Sequence, residues 1–117
     1  MNFKLGEFNI VCSNLEKSVA FYTEVMQFQL MEKATTYAHF KCQNQTITLL
    51  GFAKKAKEKK HYGAEATFSL DLRVSNLLEA SNYFKSKEVL FAQEYGKQEG
   101  FFCVYDPDFL IWEIVQE

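Results

Sequence analysis

Apolar and polar residues alternate with period two along Phe8-Asn9-Ile10-Val11-Cys12, the pattern of a half-buried strand. The pattern then changes. Leu15, Val19, Tyr22 and Met26 recur at steps of four, three and four, which places one apolar stripe on a helix. Ser13 with Glu16 three residues on has the spacing of a capping box and predicts that Ser13 opens this helix. Strand patterns follow from Gln27 to Met31, from Thr36 to Cys42 and from Thr46 to Leu50. The order strand, helix, strand, strand, strand then recurs. Thr67 to Val74 alternates, with Leu70, Leu72 and Val74 on one side and Ser69, Asp71 and Arg73 on the other. Asn76 and Glu79 stand at capping-box spacing, Leu77, Ala80 and Phe84 form a helical stripe, and strands are predicted at 89–93, 100–105 and 109–115.

The repetition extends to residue types. Ser13-Asn14-Leu15 is followed by Phe21-Tyr22, and Ser75-Asn76-Leu77 by Tyr83-Phe84, the copies standing 62 positions apart. The predicted fold class is therefore α+β: two β-α-β-β-β modules, helices on one face of their sheets. The expected organisation is one domain spanning 1–117, with module one at 7–52, a linker at 53–63 and module two at 64–117. The linker region concentrates Lys54, Lys55, Lys57, Lys59 and Lys60 against the single acid Glu58. It reads as solvated chain, or as an electropositive rim that attracts an anion.

Composition narrows the function classes. Hydrophobic residues make up 48% and aromatics 16% of 117 residues, which excludes a disordered chain. A net charge of −2 gives no nucleic-acid footprint. No stretch approaches the roughly 18 apolar residues of a membrane span, and the N-terminus has no signal-peptide pattern. Three scattered cysteines, Cys12, Cys42 and Cys103, read as reduced thiols, so a cytoplasmic location is expected. There is no nucleophile elbow and no Gly-rich phosphate loop.

The paired modules, together with Asp106-Pro107-Asp108 ahead of Trp112-Glu113-Ile114, resemble the vicinal oxygen chelate superfamily of glyoxalases, bleomycin-resistance proteins and extradiol dioxygenases. The resemblance implies that the sheets curl around a cavity with the helices outside. It also implies that metal-dependent members draw one ligand from the first strand and one from the last strand of each module. Carried over, those positions are Glu7 and Thr48 in the first module and Ser69 and Glu113 in the second. Ile47-Thr48-Leu49 and Trp112-Glu113-Ile114 fill the same role once three residues are inserted in the second module's turn. Hydroxyls at Thr48 and Ser69 are poor ligands for a transition metal, and two carboxylates are fewer than the three protein ligands of a typical catalytic site. His39 and His61 lie off these positions and read as packed or surface histidines. The family's usual Gly-Asn after Asp-Pro-Asp is replaced by Phe109-Leu110. Either the turn takes another shape or these residues pack on a partner subunit.

Strand alternation sends Glu7, Asn9 and Val11 to the cavity side, together with Ser69, Asp71 and Arg73. Asp71 and Arg73 either pair with each other, or Arg73 offers its planar fork to a ligand carboxylate or phosphate. Glu113 sits in an otherwise apolar strand and needs a partner. The expected ligand-binding residues are Glu7, Asn9, Thr48, Ser69, Asp71, Arg73 and Glu113. The favoured function is binding of a small aromatic or partly apolar molecule between the modules, by a homodimer, without a catalytic metal. The alternative is a lactoylglutathione lyase-like, metal-dependent lyase or isomerase in which Glu7 and Glu113 hold Ni, Zn, Mn or Fe and Glu113 moves a proton. A third reading, an accessory dimerisation or ligand-sensing module, finds no fused domain to support it.

Overall fold

The computed structural model describes residues 1–96 and 99–117. The chain divides into two compact units, 1–56 and 57–117. Each unit is one sheet with a helix against one face.

In the first unit, β1 (Phe8–Val11) leads into α1 (Leu15–Ala20). Asn14, not Ser13, caps this helix: its backbone is extended and its side chain accepts from the Lys17 N–H at 3.1 Å. The expected box at Ser13 and Glu16 is thus displaced by one residue. The repeat explains why, because Asn14 is the counterpart of Asn76, which caps α2 (Leu77–Ser86) by accepting from the Glu79 N–H at 2.9 Å. After Ala20 the helix widens into a π-helical turn, Phe21–Val25, closed by the Met26 N–H donating to Phe21. The Thr23 hydroxyl donates to the Val19 carbonyl at 2.8 Å and competes with the ordinary ladder there. The turn carries Tyr22 fully into the core, where it meets Phe21 edge-on, stacks on Phe28 and tilts against Phe40. Of the predicted stripe, Tyr22 and Met26 are buried, whereas Leu15 and Val19 are only half-buried. Ser18 is also fully buried, and its hydroxyl has no hydrogen-bond partner among the described residues.

Strands β2 (Gln29–Lys33), β3 (Tyr37–Cys42) and β4 (Gln45–Leu50) complete the sheet in the order β1-β4-β3-β2. β1 runs parallel to β4, and the other pairs are antiparallel. The second unit repeats this with β5 (Ser69–Val74), α2, β6 (Phe91–Gln93), β7 (Phe101–Tyr105) and β8 (Ile111–Gln116), in the order β5-β8-β7-β6. The observed strands match the predicted ones to within two or three residues at their ends.

The registers coincide as well. Asn9 faces Thr48 and Thr48 faces His39 in the first sheet, while Asp71 faces Glu113 and Glu113 faces Cys103 in the second. Both sheets carry a bulge at the same place: Leu30 and Glu32 oppose Phe40 and His39, as Phe91 and Gln93 oppose Val104 and Cys103. Phe40 on the first sheet and Phe102 on the second mark the helix-covered faces, touching Tyr22 and Phe84 respectively.

The turn before β8 is tight despite Phe109 and Leu110. Asp106 accepts from the Asp108 and Leu110 N–H groups at 2.8 Å each, and the Phe109 N–H donates to the Asp106 carbonyl. Phe109 adopts φ 64°, the left-handed backbone that glycine usually supplies, and packs edge-on against Tyr105.

Candidate functional site

On the open face of the first sheet, the pairing of β1, β4 and β3 sets Thr48 between Asn9 and His39. Glu7 stands one residue ahead of β1 on the same parity as Asn9. The Thr48 hydroxyl donates to Glu7 Oε1 at 2.9 Å and lies 2.8 Å from His39 Nδ1. A carboxylate only accepts, so the single hydroxyl proton of Thr48 is committed to Glu7. His39 Nδ1 must then carry the proton it donates to Thr48. This fixes the tautomer and turns Nε2 outward. Nε2 lies 3.7 Å from Glu32 Oε2, while Glu32 Oε1 accepts from the Tyr37 hydroxyl at 3.1 Å. That bond and the Glu32 charge raise the Tyr37 phenol above its usual range. The bulge on β2 is what brings Glu32 opposite His39, because a regular strand would have offered Met31 at that step. Thr48 is 3% exposed, whereas the His39 side chain is 32% exposed. The buried hydroxyl is therefore satisfied from within, and the imidazole edge is open.

The equivalent positions of the second sheet hold different chemistry. Glu113 takes the place of Thr48, Cys103 that of His39 and Gln93 that of Glu32. The phenol of Tyr62 comes from the segment ahead of β5 and donates to Glu113 Oε2 in a short hydrogen bond. This bond, reinforced by burial, pushes the Tyr62 phenol up to about 12, with the Ser69 hydroxyl pulling the other way. Burial first, and then the nearby Glu113 and Asp71 carboxylates, push the Cys103 thiol up to about 12. That thiol is protonated at neutral pH and is no nucleophile. Cys103, Tyr105 and Ile111 form a buried apolar cluster against which Tyr62, Phe101 and Phe109 pack. The Tyr105 hydroxyl donates to the Lys60 carbonyl, and the Lys59 ammonium lies 5.6 Å from the Tyr105 ring. The predicted linker is thus partly folded onto the second sheet rather than wholly solvated.

Of the residues expected from the sequence, Glu7 and Thr48 are bonded to each other, and Ser69 and Glu113 meet at the Tyr62 hydroxyl. Asn9 and Asp71 flank these pairs as strand partners of Thr48 and Glu113. Arg73 lies one alternation further along β5, opposite Val115 and exposed. Among the described residues, no ion pair joins Asp71 to Arg73. Sequence reasoning missed His39, Glu32, Tyr37, Tyr62 and Cys103. One of these was recoverable: with Thr48 in a strand, the hairpin at Gln43-Asn44-Gln45 places His39 directly across from it. The reach of Tyr62 back from a lysine-rich segment has no local signal.

Among the described residues, no group of three His, Cys, Asp or Glu side chains stands close enough to hold a metal ion. Among the described residues there is no disulfide; Cys12 and Cys103 are buried, and burial raises the Cys42 thiol. No helix among the described residues is long and apolar enough to cross a membrane.

The family model of the Glyoxalase/Bleomycin resistance protein/Dioxygenase superfamily matches residues 4–114. A search of curated protein sequences returns no match. Among solved structures, the chain is similar to lactoylglutathione lyase from Agrobacterium tumefaciens, at 18% identity and TM-score 0.70, covering 97% of this chain and 92% of that one. It is also similar to a glyoxalase/bleomycin resistance protein/dioxygenase from Alicyclobacillus acidocaldarius, at 14% identity and TM-score 0.73, covering 97% and 90%. A third similar structure is a mutant of the fosfomycin resistance protein FosX from Listeria monocytogenes, complexed with Mn(II) and 1S,2S-dihydroxypropylphosphonic acid. It shares 14% identity at TM-score 0.74, covering 99% and 93%. These likenesses concern the fold, and the two repeated β-α-β-β-β units are its vicinal oxygen chelate form. With a family model spanning nearly its whole length, the chain belongs to the glyoxalase/bleomycin resistance protein/dioxygenase superfamily.

Proposed function

We propose that this chain binds a small aromatic or partly apolar molecule against the open faces of its sheets, without a tightly held catalytic metal. The observation that carries this reading is the internal satisfaction of the ligand positions. Glu7 already accepts from Thr48, and Glu113 already accepts from Tyr62. The other two positions, Thr48 and Ser69, offer alcohols, which a divalent transition metal takes poorly. The donor set therefore does not fit the Ni, Zn, Mn or Fe that the family's metal-dependent members would place there, and no chemical step is assigned to such a metal.

Asn9, Asp71 and Arg73 supply exposed polar groups beside these positions. Phe101 and Tyr62, with ring centroids 6.1 Å apart, supply aromatic surface on the second unit. Apolar walls with a few placed polar groups are the usual make-up of a small-molecule site. The protein acts as a homodimer in this reading. Val11 at 53% and Met31 at 55% exposure are apolar surface that a second copy would cover.

The test is metal content together with melting temperature in nickel, zinc or manganese. Substoichiometric metal after purification, and no clear rise in melting temperature, support metal-free binding. Stoichiometric metal with a clear rise, abolished by Glu113→Gln, would replace it with the metal-dependent lyase or isomerase in which Glu7 and Glu113 are ligands and Glu113 is catalytic. Light scattering tests the dimer, and a monomer at working concentration would remove it.

A further inference from the structure

We infer that the open face of the first unit is a recognition site for a protonated amine, built from His39 Nε2, the Glu32 carboxylate and the Tyr37 ring. This rests on the reading that the chain binds a small molecule, and it names the chemical class of the group that the molecule presents. The argument starts at Thr48. Its proton goes to Glu7, so His39 donates from Nδ1, and in the neutral imidazole Nε2 presents a lone pair. Nε2 lies 3.7 Å from Glu32 Oε2, a pair that closes on itself only when the imidazole is protonated. With the imidazole neutral, these are two acceptors side by side, and a donor from a ligand would bridge them.

A cationic donor suits this place better than a neutral one. Glu32 is 57% exposed, and among the described residues no lysine or arginine pairs with it. Glu7 adds a second negative charge at the far end of the same hydrogen-bonded chain. The Tyr37 ring stands 5.0 Å from the imidazole, and its hydroxyl holds Glu32 in place. An ammonium at Nε2 would therefore meet two acceptors and a ring whose face attracts cations. Two protein ligands are too few for a tightly held divalent metal, which favours the ammonium over a metal ion.

The chain carries its own control. At the same register the second unit has Gln93, Cys103 and Phe101, which bring no charge, and Tyr62 closes off Glu113. The duplication conserves the backbone and the bulge, and it confines the cation-binding chemistry to the first unit.

The test uses two probes of equal size, benzylamine and benzyl alcohol, titrated at pH 8 into nitrogen-15-labelled protein. Histidine side-chain spectra report the tautomer, and backbone spectra report the location. The expected result is a Nδ1–H tautomer for His39 in the free protein. Benzylamine should bind roughly tenfold more tightly than benzyl alcohol and shift the His39 Nε2 resonance. Glu32→Gln and, separately, Tyr37→Leu should each reduce that preference to about threefold or less while the fold is retained. Equal affinity for the two probes, no movement of the His39 resonances, or a Nε2–H tautomer in the free protein would overturn the amine site and leave the broader reading standing. Failure of every planar aromatic probe to perturb either sheet would remove the broader reading instead.

Discussion

Thr48 decides how the first unit's polar face behaves. It is buried, and its one hydroxyl serves both a carboxylate and an imidazole. Thr48→Val keeps the shape and removes both bonds, leaving Glu7 and His39 Nδ1 to find water. A loss of about 1–3 kcal/mol in denaturant unfolding is expected, with a shift of His39 toward the Nε2–H tautomer in the same sample. Cys103 offers a prediction from titration. Its thiol is held up to about 12 in the folded chain, against 9.0 for the free group, so the native state keeps this proton more tightly than the unfolded state. The stabilisation is fully present below pH 9 and is lost as pH rises toward 12. Tyr62, raised from 10.0 to about 12, adds the same sign between those values. Melting temperature should fall steadily above pH 9, and Cys103→Val should flatten the first part of that fall. Thiol reagents should leave Cys103 unmodified in the native protein. The resemblance pointed to Glu7, Thr48, Ser69 and Glu113, and the pairing of Glu7 with Thr48 and the convergence of Ser69 and Glu113 on Tyr62 are what the structure adds. Their partners were less legible. His39 becomes a partner through a local hairpin, which its turn residues signal, and Tyr62 through a segment folding back, a tertiary event with no periodic trace.

The elements repeat more faithfully than the side chains do. The two sheets share strand order, register and bulge, and both helices start at an asparagine cap. Period-two alternation predicted β1 and β5, whereas β7 and β8 read as apolar runs because both faces there are buried, Cys103, Tyr105 and Ile111 on one and Phe102, Trp112 and Ile114 on the other. The start of α1 was misplaced by one residue because serine and asparagine are both good caps, and only the backbone shows which one is extended. Asn14→Ala should lower stability by about 1 kcal/mol in chemical denaturation. The π-helical turn left no trace either, since Leu15, Val19, Tyr22 and Met26 fit an ordinary helix. Ser18 is the other exception to the stripe, a buried hydroxyl without a partner among the described residues. Ser18→Ala removes an unsatisfied polar group and improves helix propensity. It should raise stability by about 1 kcal/mol, and a loss of that size would indicate a partner for the hydroxyl. The turn at Phe109 shows side-chain packing overriding backbone preference: the left-handed conformation survives without glycine because the ring lies against Tyr105.

At the scale of the whole molecule, one fold has been written twice and then given two chemistries. The first unit keeps an open imidazole with acidic neighbours, and the second closes its carboxylate with the chain's own phenol. The proposal of metal-free binding rests on that division: each candidate metal ligand is either an alcohol or already hydrogen-bonded within the chain. The most direct measurement is an aromatic-probe titration of chelator-treated protein, followed by backbone amide shifts and repeated with added Mn(II). The account predicts saturable shifts centred on the strands that carry His39, Thr48 and Glu113, with the same dissociation constant in both conditions. Binding that disappears in chelator and returns with Mn(II) would contradict it.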